Sequence, residues 1–426
     1  MAEAETKISV WQRYRKLPRN VLALSLVSLL NDTSSEIIYP VLPAFLALSL
    51  GASPFAIGLI EGFAESIASI LKLFSGYLSD RFGTRKLPVF MGYSLAAITR
   101  PFLAFVTSWP QVLVVRMTDR VGKGIRGAPR DALIAESVPK KERGFAFGFN
   151  RAADHMGAVF GPIAGFILLS VFAANWQSPT IMEYQKVFLF ASVPVVLGLL
   201  VIAFLVKEDD KKIDEHAEPP KFSLRGFDGN FKRFLVVIAV FTLSNSTDAF
   251  LLLRAGQAGI LPVILPLLWM TLHVSKVVSS LIGGNLSDKF GRKKLIVTGW
   301  LIYAAVYVGF AFVDSAWQVW ALFIVYGTYF GLTEGVEKAF VADMVPDNKR
   351  GTAYGLYNLA FGITVFPASL LFGLVWNEFG PTYAFLASGC VSLVAIVLLS
   401  TVKPQNTSPL LHPHPASEFH LPTPVN

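Results

Sequence analysis

Residues 76–86 read GYLSDRFGTRK, and residues 284–294 read GNLSDKFGRKK. Seven of the eleven positions are identical, at a separation of 208 residues. Each copy sets Gly, Asp and a basic cluster between two long apolar runs. Charge written twice in this way points to a duplicated unit, with the same need at the same junction of both copies.

The surrounding chain is unusually apolar. Of 426 residues, 53% are hydrophobic and 15% charged, with mean hydropathy +0.54. Soluble domains carry about 25% charged residues, so the deficit indicates a membrane protein. The net charge of +8 does not indicate nucleic acid, because the bases lie in short clusters between apolar runs. The single cysteine, Cys390, leaves no disulfide and no cysteine metal site. Residues 1–20 hold Lys7, Arg13, Arg15, Lys16 and Arg19 without an apolar core, so no removable signal peptide is expected.

A bilayer-spanning helix needs about 20 mostly apolar residues. Twelve such runs lie near 21–48, 54–78, 88–107, 110–136, 145–172, 185–206, 234–256, 261–285, 295–313, 317–342, 352–376 and 382–402. The fourth and tenth rest on spacing as much as on hydropathy. Lys and Arg gather before span 1 and after spans 2, 4, 6, 8 and 10, while the alternate loops are nearly free of them. By the positive-inside rule both termini are cytoplasmic. The expected organisation is all-α and membrane-integral: an N-terminal six-helix bundle (1–206), a cytoplasmic linker (207–232), a pseudo-symmetric C-terminal six-helix bundle (233–403), and a disordered cytoplasmic tail (404–426) rich in Pro, Ser, Thr and His.

Further pairs support the duplication. PKKERGFAFG (139–148) aligns with PDNKRGTAYG (346–355) at an offset of 207, and NDTSS (31–35) loosely with NSTDA (245–249). Repeated halves with a site between them are the build of many secondary transporters. The loop pattern G-x-x-x-[DE]-[RK]-x-G-x-[RK]-[RK] resembles the signature of the major facilitator superfamily. It is carried by Gly76, Asp80, Arg81, Gly83, Arg85 and Lys86, with a second copy at Gly284, Asp288, Lys289, Gly291, Lys293 and Lys294. The resemblance implies alternating access, with these residues acting as a conformational lock between two states. Asp80→Asn is expected to slow transport strongly at unchanged expression, and Asp288→Asn less so; transport rates at matched membrane levels check this.

Span 5 resembles the superfamily motif of proton-driven drug antiporters through Gly148, Gly157, Gly161, Pro162 and Gly165, with Phe166 replacing the usual last Gly. Small residues and Pro make a kinkable helix, expected to pack closely across the interface between the halves. Span 4 resembles R-x-x-Q-G at Arg120, Lys123 and Gly124, with Lys123 in place of Gln. Arg116, Arg120, Lys123 and Arg130 recur on one helical face. Such charges face a bundle interior or water. The alternatives are a substrate cavity or internal pairing with Asp119, Asp131 and Asp154; pairing is the favoured reading for Arg126, Arg130 and Asp131. The G-x-G-x-x-G at 122–127 follows no strand, so it is no dinucleotide site.

A carboxyl in apolar surroundings binds a proton more readily than one in water, which is the chemistry proton coupling needs. Asp32 and Glu36 on span 1 are the first candidates, with Arg120 as their switchable partner; Glu61 and Glu65 on span 2 come next. Arg116, Arg120, Asn150, Arg151, Asp154, Asn245, Asp248, Glu334, Tyr357 and Asn358 are candidates for a substrate cavity, lined in this superfamily by spans 1, 4, 7 and 10. No catalytic, metal or cofactor motif is present. The expected protein is a monomeric transporter of the inner (plasma) membrane, exporting a small molecule in exchange for protons. The alternatives are proton-coupled uptake of an anionic or zwitterionic solute, and a non-transporting sensor or scaffold.

Overall fold

The computed structural model describes residues 17–82, 84–139, 142–208, 223–346 and 349–403. The N-terminal basic segment, most of the linker, the tail and Gly83 lie outside the described residues. So do the side-chain environments at 80, 284 and 288, and with them most of the expected lock. Every element described is helical. We number them α1 (Arg19–Ile38, continued by Leu42–Ala44 and a wide turn Phe45–Ser49), α2 (Pro54–Phe82), α3 (Lys86–Phe102), α4 (Trp109–Glu136), α5 (Arg143–Phe172), α6 (Ile181–Leu205), α7a (Gly229–Ser244) and α7b (Ala249–Gln257). The series continues with α8 (Leu265–Phe290), α9 (Arg292–Phe312), α10 (Ala316–Asp343), α11 (Arg350–Phe379) and α12 (Pro381–Ser400). Among the described residues eleven segments are long and apolar enough to cross a membrane. The twelfth, α4, has 28 residues but too many charges to qualify on composition.

The duplication is written into the helix ends. Both bounds of α10 follow those of α4 by 207 residues, and both bounds of α11 follow those of α5 by the same 207. The caps repeat too. Ser108 and Ser315 precede α4 and α10 in extended conformation. Gln111 Oε1 accepts from the Thr107 amide at 2.7 Å, and Gln318 Oε1 from the Asp314 amide at 3.0 Å. Each side chain satisfies an amide that the helix start leaves open. In the second loop copy, Gly291 at φ +87° supplies a left-handed turn between α8 and α9 that only Gly adopts without strain.

Lipid offers no hydrophobic drive for helix association, so close backbone approach must hold the bundle together. Two seams show it. On α5, a Cβ added at Gly157 or Gly161 would meet Leu29 O at 2.7 Å and Glu36 Cβ at 2.5 Å. The antiporter-like glycines therefore pack α5 on α1 within one half, not across the two halves as expected; that face needs the closest approach because α1 turns Asp32 and Glu36 into it. Gly148 meets nothing within 4 Å. The second seam, α2 on α11, does join the halves. A Cβ at Gly58 would lie 2.3 Å from Ser369 O, and one at Gly373 2.6 Å from Pro54 O. Further along, Ser66 Oγ donates to Gly362 O at 2.6 Å.

These inter-half contacts concentrate away from the basic loops. Glu36 of α1 accepts from Trp269 Nε1 of α8 at 2.6 Å, and the Tyr39 and Thr247 hydroxyls lie 3.4 Å apart. Toward the basic end, Arg151 of α5 and Glu334 of α10 meet at 3.4 Å with side chains 60% and 52% exposed. The space between the halves is thus closed at the far end and wet at the basic end.

Span 7 is broken. The run 245–248, Asn-Ser-Thr-Asp, separates α7a from α7b, because four side chains with local hydrogen-bonding capacity compete with helical bonding. The freed backbone is satisfied in place: Tyr303 OH donates to Ser244 O at 2.6 Å, and the Thr247 amide donates to Ser369 Oγ at 3.2 Å. Irregular backbone at membrane depth is tolerated where it lines a cavity.

Candidate functional site

A cavity of about 560 Å³ lies between the halves. Asp32, Glu36, Glu61, Glu65, Arg116, Arg120, Lys123, Arg151, Asp154, Asn245 and Asp248 all line it. The wall from α1 to α5 is ionic. Arg116 grips Glu61 with both prongs, Nε to Oε1 at 2.8 Å and Nη2 to Oε2 at 2.5 Å. Both side chains are about 6% exposed, so each cancels the other where water cannot. Arg100 of α3 pairs with Asp119 at 3.0 Å. Its other nitrogens reach Asn31 O at 3.0 Å and Asn31 Oδ1 at 3.1 Å. Asn31 Oδ1 also accepts from Arg126 at 3.2 Å, and Asn31 Nδ2 donates to Asp32 Oδ1 at 3.0 Å. One amide thus ties α1, α3 and α4 together.

Among the described residues Arg126 has no carboxylate partner at hydrogen-bond distance. It donates to Gly92 O at 3.1 Å and lies 4.3 Å from the Tyr93 ring centroid, a cation–π contact in place of an ion pair. Arg130 binds Asp131 at 3.0 Å and Ser28 Oγ at 3.1 Å.

Arg120 behaves differently. Its Nε is buried and unbonded, and it joins neither Asp32 nor Glu36, the carboxyls expected as its partners. Those two are held elsewhere: Asp32 by Asn31, and Glu36 by Trp269, with His273 Nε2 at 3.5 Å. Arg120 acts instead on Glu65 of α2, which also lies in the field of Lys123 and Arg116, and on Asp119 of its own helix, without a hydrogen bond to either. Asp154 has Arg151 at 3.9 Å on one oxygen, while Oδ1 is buried without a partner.

Four expected cavity residues lie off its wall. Asn150 donates to Ser28 Oγ at 3.1 Å within the α1–α5 seam. Tyr357 OH donates to Glu337 Oε2 at 2.7 Å, and Trp300 Nε1 to Glu337 Oε1 at 2.9 Å. Glu334 is held by Arg151 and, at 3.7 Å, Lys338. Asn358 is exposed on α11. Among the loop residues, Gly76 faces Ala128 of α4, Arg81 donates to Tyr77 OH at 3.1 Å, and Arg85 pairs with Glu136 at 2.8 Å. The sequence reading missed Trp269, Phe330, Phe361 and Val365, which form the apolar wall opposite α4.

The chain matches the family model described as Major Facilitator Superfamily over residues 24–275 and 257–424. It is 35% identical to the uncharacterized MFS-type transporter MJ1317 of Methanocaldococcus jannaschii, over 90% of this chain and 95% of that one. It is 24% identical to the multi-drug resistance efflux pump PmrA of Streptococcus pneumoniae, over 85% and 91%. In fold it is similar to the nucleoside transporter NupG, with TM-score 0.74, 14% identity and coverage of 90% and 99%. A D-xylose-proton symporter gives TM-score 0.72 at 18% identity, with coverage of 91% and 98%. With two six-helix repeats around a charged central cavity, and with a family match over residues 24–424 and a 35% identical relative over 90% of its length, the chain belongs to the major facilitator superfamily of small-solute transporters.

Proposed function

We propose that the protein exports a small solute in exchange for protons, by rocking its two halves about the cavity. The observation that carries the coupling is Asp154: one carboxylate oxygen is buried with no donor, and Asp32 lies close enough to act on it electrically. An ionised group with an unsatisfied buried acceptor is costly. One proton held between the two carboxyls removes a charge and supplies the missing donor. The pair sits on the glycine-packed α1–α5 seam, so a change in its charge is felt where the helices touch most closely. Export is favoured by the span 5 motif and by relatives named as efflux pumps.

In this reading the basic end and both termini face the cytoplasm, across the inner (plasma) membrane. The state described is then the inward-open one, and the chain works as a monomer. Bundles 1–206 and 233–403 move as units about linker 207–232.

The test uses proteoliposomes with an imposed pH gradient and a panel of labelled solutes. Asp32→Asn and Asp154→Asn should abolish gradient-driven transport. Counterflow at saturating solute, which needs no net proton movement, should persist in both variants. A wild-type response to the gradient in both variants would remove these carboxyls from coupling. Uptake of an anion is the second reading, favoured by Arg120 and Lys123, which have no salt bridge. The two differ in sign: an anion and a proton help each other bind and travel together, whereas a cationic group and a proton compete for one carboxyl and exchange.

A further inference from the structure

The two halves share a register but not a chemistry. At the offset of 207, Arg116, Asp119, Lys123 and Arg126 of α4 correspond to Phe323, Tyr326, Phe330 and Thr333 of α10. At these four positions charge in one half is replaced by an aromatic or uncharged residue in the other, whereas nearer the basic end Arg130 and Asp131 correspond to Glu337 and Lys338. The cavity inherits much of this split, with most of its cations and carboxylates on the α1–α5 wall and Trp269, Phe330, Phe361 and Val365 on the other half, beside the polar break at Asn245–Asp248; one face of Phe330 is covered by Lys276, Nζ 3.5 Å from the ring centroid.

The ionic wall is itself divided. Glu61 and Asp119 neutralise Arg116 and Arg100. Arg120 and Lys123 make no salt bridge or hydrogen bond among the described residues, and both act on Glu65. Asp119 and Asp32, the other carboxylates in their field, are bonded to Arg100 and Asn31, so a negative group can supply the hydrogen-bonded counter-ion that Arg120 and Lys123 lack. On the α1–α5 side the imbalance reverses. Asp154 Oδ1 is buried without a donor, Asp32 acts on it electrically, Arg130, which acts on both, is bonded to Asp131, and Arg151 is shared with Glu334. That side has room for one positive group.

We infer that the transported solute is a zwitterion with a flat apolar body: its anionic group rests on Arg120 and Lys123, its ammonium on Asp32 and Asp154, and its body on the aromatic wall. A cavity of about 560 Å³ falls in the range of sites for drug-sized ligands, roughly 300–1,000 Å³. The inference rests on the proton-exchange reading and gives it a physical cause. The ammonium and the proton seek the same two carboxyls, so one leaves as the other arrives. An anion alone would bind in concert with the proton, and a cation alone would leave Arg120 and Lys123 uncompensated.

The experiment is calorimetric binding to the full chain in lipid nanodiscs, with four probes that separate the features. These are 4-(aminomethyl)benzoate, 4-methylbenzoate, 4-methylbenzylammonium and 6-aminohexanoate. The first should bind at least about tenfold tighter than each of the others, a factor worth 1.4 kcal/mol. Arg120→Gln and Lys123→Gln should weaken the two benzoates and leave 4-methylbenzylammonium unchanged. Asp154→Asn should weaken 4-(aminomethyl)benzoate and 4-methylbenzylammonium and leave 4-methylbenzoate unchanged. Phe330→Ala should weaken the three ring compounds and spare 6-aminohexanoate. Lys123 is exposed to the cavity, so Lys123→Gln keeps the test decisive if Arg120→Gln does not fold. Equal affinity for 4-(aminomethyl)benzoate and 4-methylbenzylammonium, or no response to Lys123→Gln, overturns the anionic subsite. Proton-driven flux of another solute, with no binding of 4-(aminomethyl)benzoate, sinks the inference and leaves the exchange reading intact. Binding in the expected pattern without any proton-driven flux sinks the exchange reading and leaves the site.

Discussion

Glu61→Ala is expected to cost the protein most of its stability, about 3–5 kcal/mol, the penalty for leaving a buried charge without its partner. Arg116 would keep its guanidinium at 5% exposure without its bidentate partner, with the Tyr39 ring at 5.8 Å and Glu65 and Asp119 acting on it only through space. Glu61→Gln should cost less, because the amide oxygen still accepts one of the two bonds. A double Glu61→Gln/Arg116→Gln variant should recover part of the loss, since no net charge then remains buried. Thermal unfolding of the purified variants, followed by size-exclusion chromatography, ranks them. If Glu61→Ala melts with the wild type, the ion pair does not hold the bundle.

Gly58→Val should displace the conformational balance rather than the stability. A Cβ at Gly58 would lie 2.3 Å from Ser369 O and 3.1 Å from Ser369 C. Those are backbone atoms of the other half, and they cannot rotate away. The relief available is separation of α2 from α11, which opens the far end of the cavity. Overpacking of a tight contact costs about 1–3 kcal/mol, and 1.4 kcal/mol is already a tenfold change in the population of two states. Spin labels at Ser53 and Glu378, both exposed at the far end, should report a longer distance by pulsed dipolar spectroscopy. Gly144→Ala is the control, because nothing lies within 4 Å of the added carbon. An unchanged distance in Gly58→Val would mean that this seam does not gate the cavity.

The fold was legible because two kinds of signal agree in this chain. Apolar runs of bilayer length alternate with loops of alternating basicity, and the loop motif recurs at a near-constant offset. Even α4, too polar for a hydropathy criterion, is fixed by its place between neighbours and by its match to α10. The break in span 7 was foreshadowed by Asn245 and Asp248 but not read, since a polar patch in an apolar run fits either a cavity lining or an interruption. The site was half legible. Charges in a membrane helix advertise themselves, so the ionic wall was found. Their pairing was not, because it depends on rotation about each helix axis. Thus Glu61 and Arg116, named for different roles, turned out to hold each other, while Arg120 turned from Asp32 toward Glu65. Aromatic residues in an apolar run carry no such flag, so Trp269, Phe330 and Phe361 were missed. The offset of 207 could have exposed Phe330, which stands where α4 has Lys123.

The ion-rich α4 also bears on how the chain is made. A single Arg, Lys or Asp at the middle of an inserting helix costs about 2.5–3.5 kcal/mol, and α4 carries Arg116, Asp119, Arg120, Lys123 and Arg126 along its length. Released alone into lipid during synthesis, it would not stay. Its two buried counter-ions are Glu61 on α2 and Arg100 on α3, both of which precede it on the ribosome. The partners are therefore in the bilayer before the helix that needs them emerges, and α4 enters by docking onto a waiting hairpin. Its twin α10 carries Phe323, Tyr326 and Phe330 at three of the same five positions and has far less need of such help. Order of birth, as much as sequence, makes the charged helix possible.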